Sequence, residues 1–196
     1  MKIDKIIGGQ IESNGYIVYE KEGGEGFIID PGYNAKKYIE KVREKALKIK
    51  GIILTHHHYD HIGAAINIKK ELASPIMIHS ADADHLPFHA DIHLKDKDVL
   101  SLENESFEIV NTPGHTEGGI CIISHKHKII FTGDTIFDTD IGRTDFKDSD
   151  PWKMKDSIIN VVNKWGNEYT IYPGHGGNAS MRAVRKNNAE FIEGLK

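Results

Sequence analysis

Four histidines and one aspartate, in the segment HHHYDH at residues 56–61, follow the apolar run GIIL at residues 51–54 after a single threonine. A short apolar run rich in β-branched residues predicts a buried strand. Imidazole and carboxylate groups at the end of such a strand need partners, because an unpaired polar group costs free energy when water is removed. The fold must therefore bring suitable partners to this strand end, which limits the architectures open to the chain.

The spacing within this segment predicts metal ligation. On extended backbone, side chains two residues apart point the same way, so His56 and His58 can reach one ion. Asp60 and His61 lie just beyond them and can serve a second ion beside the first. Imidazole and carboxylate ligands suit zinc, iron or manganese, and no thiolate is present here to narrow the choice. The alternative, a polar surface loop, does not explain the aspartate or the preceding strand.

Three later segments each place one more residue of a ligand type after a predicted strand: TPGHTEGG, FTGDT and IYPGHGG. Glycines beside these residues let the backbone turn sharply and approach closely. Each residue alone is more often structural, but together they complete two metal sites joined by a bridging carboxylate, as in two-metal hydrolases. The predicted ligands are His56, His58 and His115 for one ion, Asp60, His61 and His175 for the other, and Asp134 between them.

Composition limits the classes of protein to which the chain can belong. A length of 196 residues, with 39% hydrophobic and 28% charged residues, is typical of a globular protein and fits a single domain over residues 1–196. The net charge of -4 gives no reason to expect a nucleic-acid partner. Cys121 is the only cysteine, and the sequence shows neither a signal peptide nor a membrane-spanning run. We therefore expect a cytoplasmic protein without a membrane partner.

Hydrophobic periodicity predicts strands and helices in both halves of the chain. The first half is predicted to contain a hairpin over 15–32, a helix over 34–50 capped by Asn34, a strand over 51–55, a helix over 62–73 and a strand over 75–79. The second half is predicted to contain a strand from 106, a hairpin over 119–134, a helix over 151–165, a strand over 169–173 and a closing helix over 178–195. This order suggests an α/β architecture of two sheets packed face to face, with helices outside.

The segments THHHYDHIG, TPGHTEGG, FTGDTIF and YPGHG, in this order, resemble the metallo-β-lactamase superfamily. The resemblance covers nearly the whole chain and implies a four-layer αββα sandwich with the metal site at one edge. Within the superfamily, the chain is most similar to short glyoxalase II-like (hydroxyacylglutathione hydrolase-like) enzymes. This similarity rests on the histidine loop, on IGRTDF at 141–146 and on RKNN at 185–188.

The resemblance implies a metal-dependent thioester hydrolase that acts on a small-molecule acyl thioester. Two divalent ions, Zn²⁺ in the first place and iron or manganese otherwise, would lower the pKa of a shared water, and the resulting hydroxide would attack the thioester carbonyl. Asp60 would lie beside this water as a ligand. Asp30 is implied to orient the histidine loop through hydrogen bonds, although an Asp-Pro-Gly turn needs no active site to explain it.

Four further residues are candidates for substrate contact. Tyr59, inside the histidine loop, can form a wall of the pocket, and Arg143 can approach the site or pair with Asp145. Arg185 and Lys186 can attract an acidic thiol carrier, but a charged pair on a terminal helix is also typical of a solvated face.

A second histidine-rich segment, residues 79–93, lies between the motifs. The spacing of its histidines does not favour a metal site, and shaping the pocket entrance is another interpretation of this segment.

Other activities on the same scaffold remain open. A persulfide dioxygenase would use a single iron, whereas the presence of Asp60, His61 and His175 favours two ions. A lactonase would use the same hydroxide. A nuclease is disfavoured by the net acidic charge and by the lack of a basic tract, and a secreted β-lactamase by the lack of an export signal. The complete ligand set argues against a catalytically silent binding protein.

Overall fold

Two six-stranded sheets organise residues 1–195, the part of the chain that the computed structural model describes. Lys196, the last residue of the predicted domain, lies outside the described residues. In spatial order, the first sheet contains β1 (Lys2–Gly8), β2 (Ser13–Tyr19), β3 (Glu25–Ile29), β4 (Lys48–Leu54), β5 (Ile76–His79) and β6 (Ile92–Leu94). The second sheet contains, again in spatial order, β12 (Ala179–Ser180), β11 (Thr170–Pro173), β10 (Ile129–Gly133), β9 (Ile120–Ser124), β8 (Glu105–Asn111) and β7 (Val99–Leu102).

Helices cover the outer faces of both sheets. They are α1 (Ala35–Glu44), α2 (Tyr59–Ile62), α3 (Ala65–Leu72), α4 (Pro151–Asn160), α5 (Met181–Asn187) and α6 (Ala189–Gly194). Short 3₁₀ turns lie at 83–85 and 162–164. No helix within residues 1–195 is both long enough and apolar enough to cross a membrane.

Three buried apolar clusters separate four layers. In β4, side chains alternate, so Ile52 and Leu54 pack under α1 and α3 while Ile53 faces the second sheet. Between the sheets, the rings of Phe27 and Phe107 meet edge to face with their centres 5.8 Å apart. The third cluster lies between the second sheet and α4, α5 and α6. This arrangement confirms the predicted αββα sandwich.

The strand directions determine where loops can meet. β3, β4, β5 and β6 run parallel to one another, and so do β10 and β11 in the second sheet. Backbone hydrogen bonds join the two sheets at the carboxyl ends of these strands, from Asn14 N to Gly174 O (2.6 Å) and from Ile120 N to Thr55 O (3.0 Å). The loops that follow the parallel strands therefore converge at one edge of the sandwich.

The helix predicted over 34–50 is too long. Asn34 does cap α1, because its side chain accepts a hydrogen bond from Lys37 N at 3.3 Å, but the helix ends at Glu44. Residues 48–50 begin β4, which pairs in parallel with β3. Leu47 and Ile49 contact the same apolar cluster as α1, so their spacing imitates a continued helical stripe.

The two late helices are also shorter than predicted. The helix predicted over 151–165 ends at Asn160, and the closing helix divides into α5 and α6 at Asn188. The predictions also omitted β1, β6, β7 and β12, the edge strands of the two sheets; β12 occupies the start of the predicted closing helix. Edge strands lack the continuous apolar pattern that marks a buried strand.

Candidate metal centre

The seven predicted ligands lie together at the edge where the parallel strands end. His56 follows β4, Asp134 follows β10 and His175 lies beyond the end of β11, while His115 lies in the loop between β8 and β9. The backbone of His58 is extended, and the single turn of α2 that follows brings the last two ligands of the histidine loop back towards the same centre.

Gly32 makes this compact arrangement possible. A Cβ atom at this position would overlap the carbonyl oxygen of Asp60 in α2. The hydroxyl of Ser13 donates a hydrogen bond of 2.7 Å to the same carbonyl. The Asp-Pro-Gly turn and β2 together therefore determine the position of α2, and with it the position of its ligands.

The first trio consists of His56, His58 and His115, whose ligand-type atoms all lie within 4.8 Å of one another. His58 Nδ1 and His115 Nε2 are 2.9 Å apart. The other ring nitrogen of His115, Nδ1, lies 2.8 Å from the carbonyl oxygen of Arg143 and must donate, because a carbonyl only accepts. In the neutral ring, this hydrogen bond leaves the lone pair on Nε2, directed into the trio.

The second trio consists of Asp60, His61 and His175. Asp60 Oδ2 lies 3.1 Å from His61 Nε2 and 3.2 Å from His175 Nε2, and the two ring nitrogens are 3.3 Å apart. Nδ1 of His175 donates to the carbonyl of Ile11 at 3.0 Å. As in the first trio, this hydrogen bond directs the Nε2 lone pair of the neutral ring towards the centre.

Asp134 lies between the trios and faces both. Its Oδ1 is 3.5 Å from His61 Nε2, whereas its Oδ2 is 3.5 Å from His115 Nε2 and 3.6 Å from His175 Nε2. Its Oδ2 also lies 4.0 Å from His56 Nε2. A carboxylate in this position can place one oxygen towards each of two cations.

The donor set fits divalent cations. His56 Nε2 and Asp134 Oδ1 are buried, and neither has a hydrogen-bond partner among the described residues. Ligands about 2.1 Å from a tetrahedral ion lie about 3.4 Å from each other. Neighbouring ligand atoms of this centre are separated by similar distances, from 2.9 Å between His58 Nδ1 and His115 Nε2 to 4.0 Å between His56 Nε2 and Asp134 Oδ2. Buried nitrogen and oxygen atoms that face one another without protons to share are the atoms that a cation would satisfy.

The electrostatics of the two trios agree with this fit. Burial, followed by the neighbouring imidazoles, lowers the pKa of His58 to about 4 and that of His56 well below its ordinary value. Burial would also lower the pKa of His61, but the surrounding carboxylates, led by Asp134, raise it well above its ordinary value. The first trio therefore offers neutral lone pairs, and the second lies in a negative field that attracts positive charge.

Asp30 connects the two trios through hydrogen bonds. This buried carboxylate accepts hydrogen bonds from Thr55 N (2.7 Å) and Thr55 Oγ1 (2.6 Å), and from Nδ1 of His61 at 3.2 Å. Because Thr55 Oγ1 donates to Asp30, it accepts from Nδ1 of His56, 3.1 Å away. Asp30 thus orients one imidazole directly and another through a threonine, which is the arrangement implied by the resemblance.

Asp82, which lies in the histidine-rich segment and is fully buried, was not among the residues predicted from the sequence. Its Oδ1 accepts from Gly118 N at 2.6 Å, and its Oδ2 accepts from Thr116 Oγ1 at 2.8 Å and from His57 N at 3.1 Å. Asp82 therefore joins the loop of His56 and His58 to the loop that carries His115. No pattern in the single sequence distinguishes Asp82 from the exposed acidic residues around it.

The histidines of segment 79–93 do not join the metal centre. The ring of His85 instead stacks on that of His57, with centres 4.6 Å apart and planes inclined by 20°. The ring of His57 lies between Asp82 and Asp148, with nitrogen–oxygen distances of 3.0 and 2.9 Å. His57 thus points away from the two trios, as the alternation within the histidine loop predicts.

A cavity of about 1040 Å³ opens over both trios. Tyr59 and Arg143 line it, and the side chain of Tyr59 is exposed; their contact with a substrate stays a prediction. Arg143 also forms an ion pair with Asp145 at 2.6 Å and lies 4.4 Å from the ring centre of Phe146. Apolar and acidic side chains complete the wall, including Ile11, Phe137, Asp138, Asp140, Ile141 and Asp148.

Arg185 and Lys186 do not line this cavity. The guanidinium of Arg185 instead donates to Trp165 O at 2.7 Å, to Asn163 O at 2.9 Å and to Asn167 Oδ1 at 2.9 Å. These acceptors belong to the 3₁₀ turn and the loop that precede β11. Arg185 thus holds α5 against that loop and Lys186 is exposed, so a contact of this basic pair with the substrate stays a prediction.

Comparison with known proteins agrees with this geometry. Hydroxyacylglutathione hydrolase GloC of Haemophilus influenzae is 31% identical over an alignment of 207 positions, which covers 96% of this chain and 97% of that protein. The structure of the BLEG-1 B3 metallo-beta-lactamase aligns with a TM-score of 0.90 at 26% identity and covers 96% of this chain and 98% of that one. TTHA1623 in a di-iron-bound form aligns with a TM-score of 0.82 at 25% identity, covering 95% and 98%.

The family profile described as "Metallo-beta-lactamase superfamily" matches residues 8–175. This range contains both trios, the bridging carboxylate Asp134 and the aspartate below them, Asp30. The match therefore covers the complete candidate centre and most of both sheets. From the fold, the centre and these comparisons together, we conclude that the chain belongs to the metallo-beta-lactamase superfamily, whose members are generally metal-dependent hydrolases.

Proposed function

We propose that this superfamily hydrolase cleaves acyl thioesters in the manner of glyoxalase II. The observation that carries the proposal is the position of His56 Nε2 and Asp134 Oδ1, two buried atoms without hydrogen-bond partners among residues 1–195, beneath a cavity that can hold a small molecule. Support comes from GloC, whose name describes the hydrolysis of a hydroxyacylglutathione thioester and which aligns over nearly its full length.

The proposed ligands are the two trios with Asp134 between them, and Zn²⁺ is the first candidate ion, followed by iron and manganese. When bound, such ions would supply Lewis-acid activation of a carbonyl group and of a water molecule. Imidazole and carboxylate ligands suit all three metals. Because the similar TTHA1623 structure is in a di-iron-bound form, the experimental test must also identify the metal.

The protein's own residues would position the substrate. Tyr59 and Phe146, on the wall of the cavity, would contact its apolar part and exclude water from the reacting carbonyl. Arg143, oriented by Asp145 and packed on Phe146, would bind a polar group of the substrate. A thioester suits this arrangement because its thiolate departs with little need for a proton, whereas an amide nitrogen would require an acid.

The test begins with the metal content of protein purified without added metal, measured by plasma mass spectrometry. The same protein, before and after treatment with chelator, is then assayed with a hydroxyacylglutathione thioester, with lactones, and with glutathione persulfide while oxygen uptake is recorded. We expect two ions per chain and thioester hydrolysis that disappears with the chelator and returns with metal.

Each competing activity predicts a different result. One iron per chain with rapid oxygen consumption would establish a persulfide dioxygenase instead. Two ions with ring opening of lactones, and no thioester hydrolysis, would establish a lactonase. In either case the metal centre would stand, but the proposed substrate class would be wrong.

A further inference from the structure

A second group of ligand-type side chains lies at the opposite end of the sandwich from the cavity. Glu20 follows β2 of the first sheet, whereas Glu105 begins β8 and His127 lies in the turn between β9 and β10 of the second sheet. β10 then runs from this turn towards Asp134, a distance of about 16 Å for its five residues. The group is therefore well separated from the metal centre, yet it also joins the two sheets.

Glu105 is the central member of this group and is only 3% exposed. Its Oε1 accepts a hydrogen bond from Ser124 Oγ at 2.8 Å. Its Oε2 lies 3.0 Å from His127 Nε2, and one ligand-type atom of Glu20 completes a set within 4.8 Å. Although they are 3.0 Å apart, neither Oε2 of Glu105 nor Nε2 of His127 makes a hydrogen bond of suitable geometry in the described part of the chain, and both atoms are buried.

The same signature marks the metal centre, where His56 Nε2 and Asp134 Oδ1 are buried and unpartnered. Over residues 1–195, seven buried side-chain nitrogen and oxygen atoms lack a hydrogen-bond partner. Four of these atoms belong to the two clusters, one imidazole nitrogen and one carboxylate oxygen in each. Buried unsatisfied groups of this kind call for an explanation such as an ion, because each costs free energy if left alone.

We propose that Glu20, Glu105 and His127 bind a further divalent cation, with Zn²⁺ as the matching ion, independently of the metal centre. An imidazole and two carboxylates form a ligand set that suits zinc, with water as the fourth ligand. Water can reach the site because His127 and Glu20 are partly exposed. The ion would join the end of β2 to the β9–β10 turn and so hold the two sheets together at this end.

Lys126 occupies the neighbourhood of the site. Its Nζ lies 3.5 Å from Glu105 Oε2 and 3.6 Å from Glu20 Oε1, and it donates to the carbonyl of Asn104 at 3.3 Å. More than half of this side chain is exposed, so the ammonium group can move into solvent when a divalent cation arrives. Lys126 thus competes with the ion. Its removal would strengthen the binding of zinc at a metal site, whereas it would weaken a simple network of ion pairs.

The test uses the full chain with its metal centre already filled and excess metal removed. Equilibrium dialysis against ZnCl₂, with metal counted by plasma mass spectrometry, should show one further equivalent per chain and a rise in Tm. H127A and E105Q should each lose this equivalent, or bind it at least tenfold more weakly, while they keep the ions of the centre. K126A should bind it at least threefold more tightly and gain more Tm from zinc.

H125A is the matched control, because it removes a histidine from the same turn. The ring of His125 faces Glu108 and the hydroxyl of Tyr169, so this variant should retain the further equivalent. The proposal is overturned if wild type binds no further zinc, if H127A retains it, or if K126A weakens it. If E105Q does not fold, as judged by circular dichroism, H127A and K126A decide the question, since both positions lie in an exposed turn.

Discussion

Asp134 is the residue on which the two trios depend most. Its Oδ1 faces the second trio and its Oδ2 faces both trios at about equal distances, so its removal weakens both sites together. We expect D134A to hold at most one ion per chain and to lose at least a thousandfold in turnover. Metal analysis and the thioester assay check both outcomes.

Asp138 provides the control for that substitution. It lines the same cavity but belongs to neither trio, so D138N should keep both ions. Equal metal content in D134A and D138N would show that the bridging role of Asp134 is wrong.

Asp82 acts on the centre through other residues and is therefore a positioning residue. Asn at this position would present an amide to donors that now meet a carboxylate, so D82N should loosen the contact between the two loops of the first trio. We expect a metal affinity about 10- to 100-fold lower for one of the two ions. Competition with a chromophoric chelator measures each affinity separately.

D84N is the matched control for D82N, because Asp84 is exposed two residues further along the chain. The apo forms of both variants should also be compared by thermal unfolding. If D82N loses stability in the apo form but binds both ions as tightly as D84N, Asp82 is merely structural.

Cys121 provides a probe of opening from within the core. Burial raises the pKa of this thiol to about 11, and the chain has no other cysteine. Because the thiolate is the reactive form, alkylation by iodoacetamide at pH 8 should be at least about 100-fold slower in the folded than in the unfolded protein. Intact mass measured over time gives both rates, and rapid labelling of the folded protein would contradict the burial of this residue.

At the scale of elements, the sequence shows where strands end in functional residues more reliably than where helices end. Every predicted ligand follows an apolar strand or lies within a glycine-rich loop, and the structure brings all of them together. Helix ends were less predictable because Leu47 and Ile49 contact the same apolar cluster from the turn and the next strand, which extends the apparent helical stripe. Contacts such as those of Asp82 join segments distant in sequence, and no local pattern records them.

The break between α5 and α6 is an element-scale feature with a consequence for the cavity. Asn188 is buried, and its Nδ2 donates to Asp140 O at 2.7 Å and to Phe137 O at 3.2 Å. Its Oδ1 accepts from Phe191 N at 2.8 Å and so caps α6. The RKNN segment therefore contacts a wall of the cavity through its asparagine rather than through Arg185.

N188A should affect both stability and substrate binding. The loss of the cap and of two partly buried hydrogen bonds should lower the free energy of unfolding by about 1–3 kcal/mol. The substitution also releases the part of the cavity wall that contains Phe137 and Asp140. KM for the thioester should therefore rise more than kcat falls, because the metal ligands themselves are untouched. N187A, at the exposed neighbouring asparagine, is the control and should change neither quantity. A normal KM in N188A would show that this part of the cavity wall does not contribute to substrate binding.

At the scale of the whole molecule, the centre draws its ligands from both sheets. The histidine loop extends from the first sheet, whereas His115, Asp134 and His175 extend from the second. Ions bound here would therefore oppose separation of the sheets, and binding to the folded state alone would stabilise the fold.

The single domain over 1–196 and the cytoplasmic location stay predictions.

Removal of metal should consequently destabilise the whole fold. At a free metal concentration about 1,000 times its Kd, one ion adds about 4 kcal/mol to the free energy of unfolding. For a chain of this size, each kcal/mol shifts Tm by about 2–4 °C, so chelation should lower Tm by about 8–16 °C for each ion lost. Calorimetry with and without chelator measures this shift, and restored metal should reverse it.

D134A separates this effect from a direct effect of the chelator on the chain. Because D134A is expected to hold at most one ion, its Tm without chelator should already be lower than that of the wild type, and chelator should lower it less. If wild type and D134A lose the same Tm on chelation, Asp134 does not contribute to binding the stabilising ions. If chelation leaves the wild-type Tm unchanged, the buried nitrogens and oxygens at the edge of the sandwich do not bind cations that stabilise it, and the hydrolase proposal loses its basis.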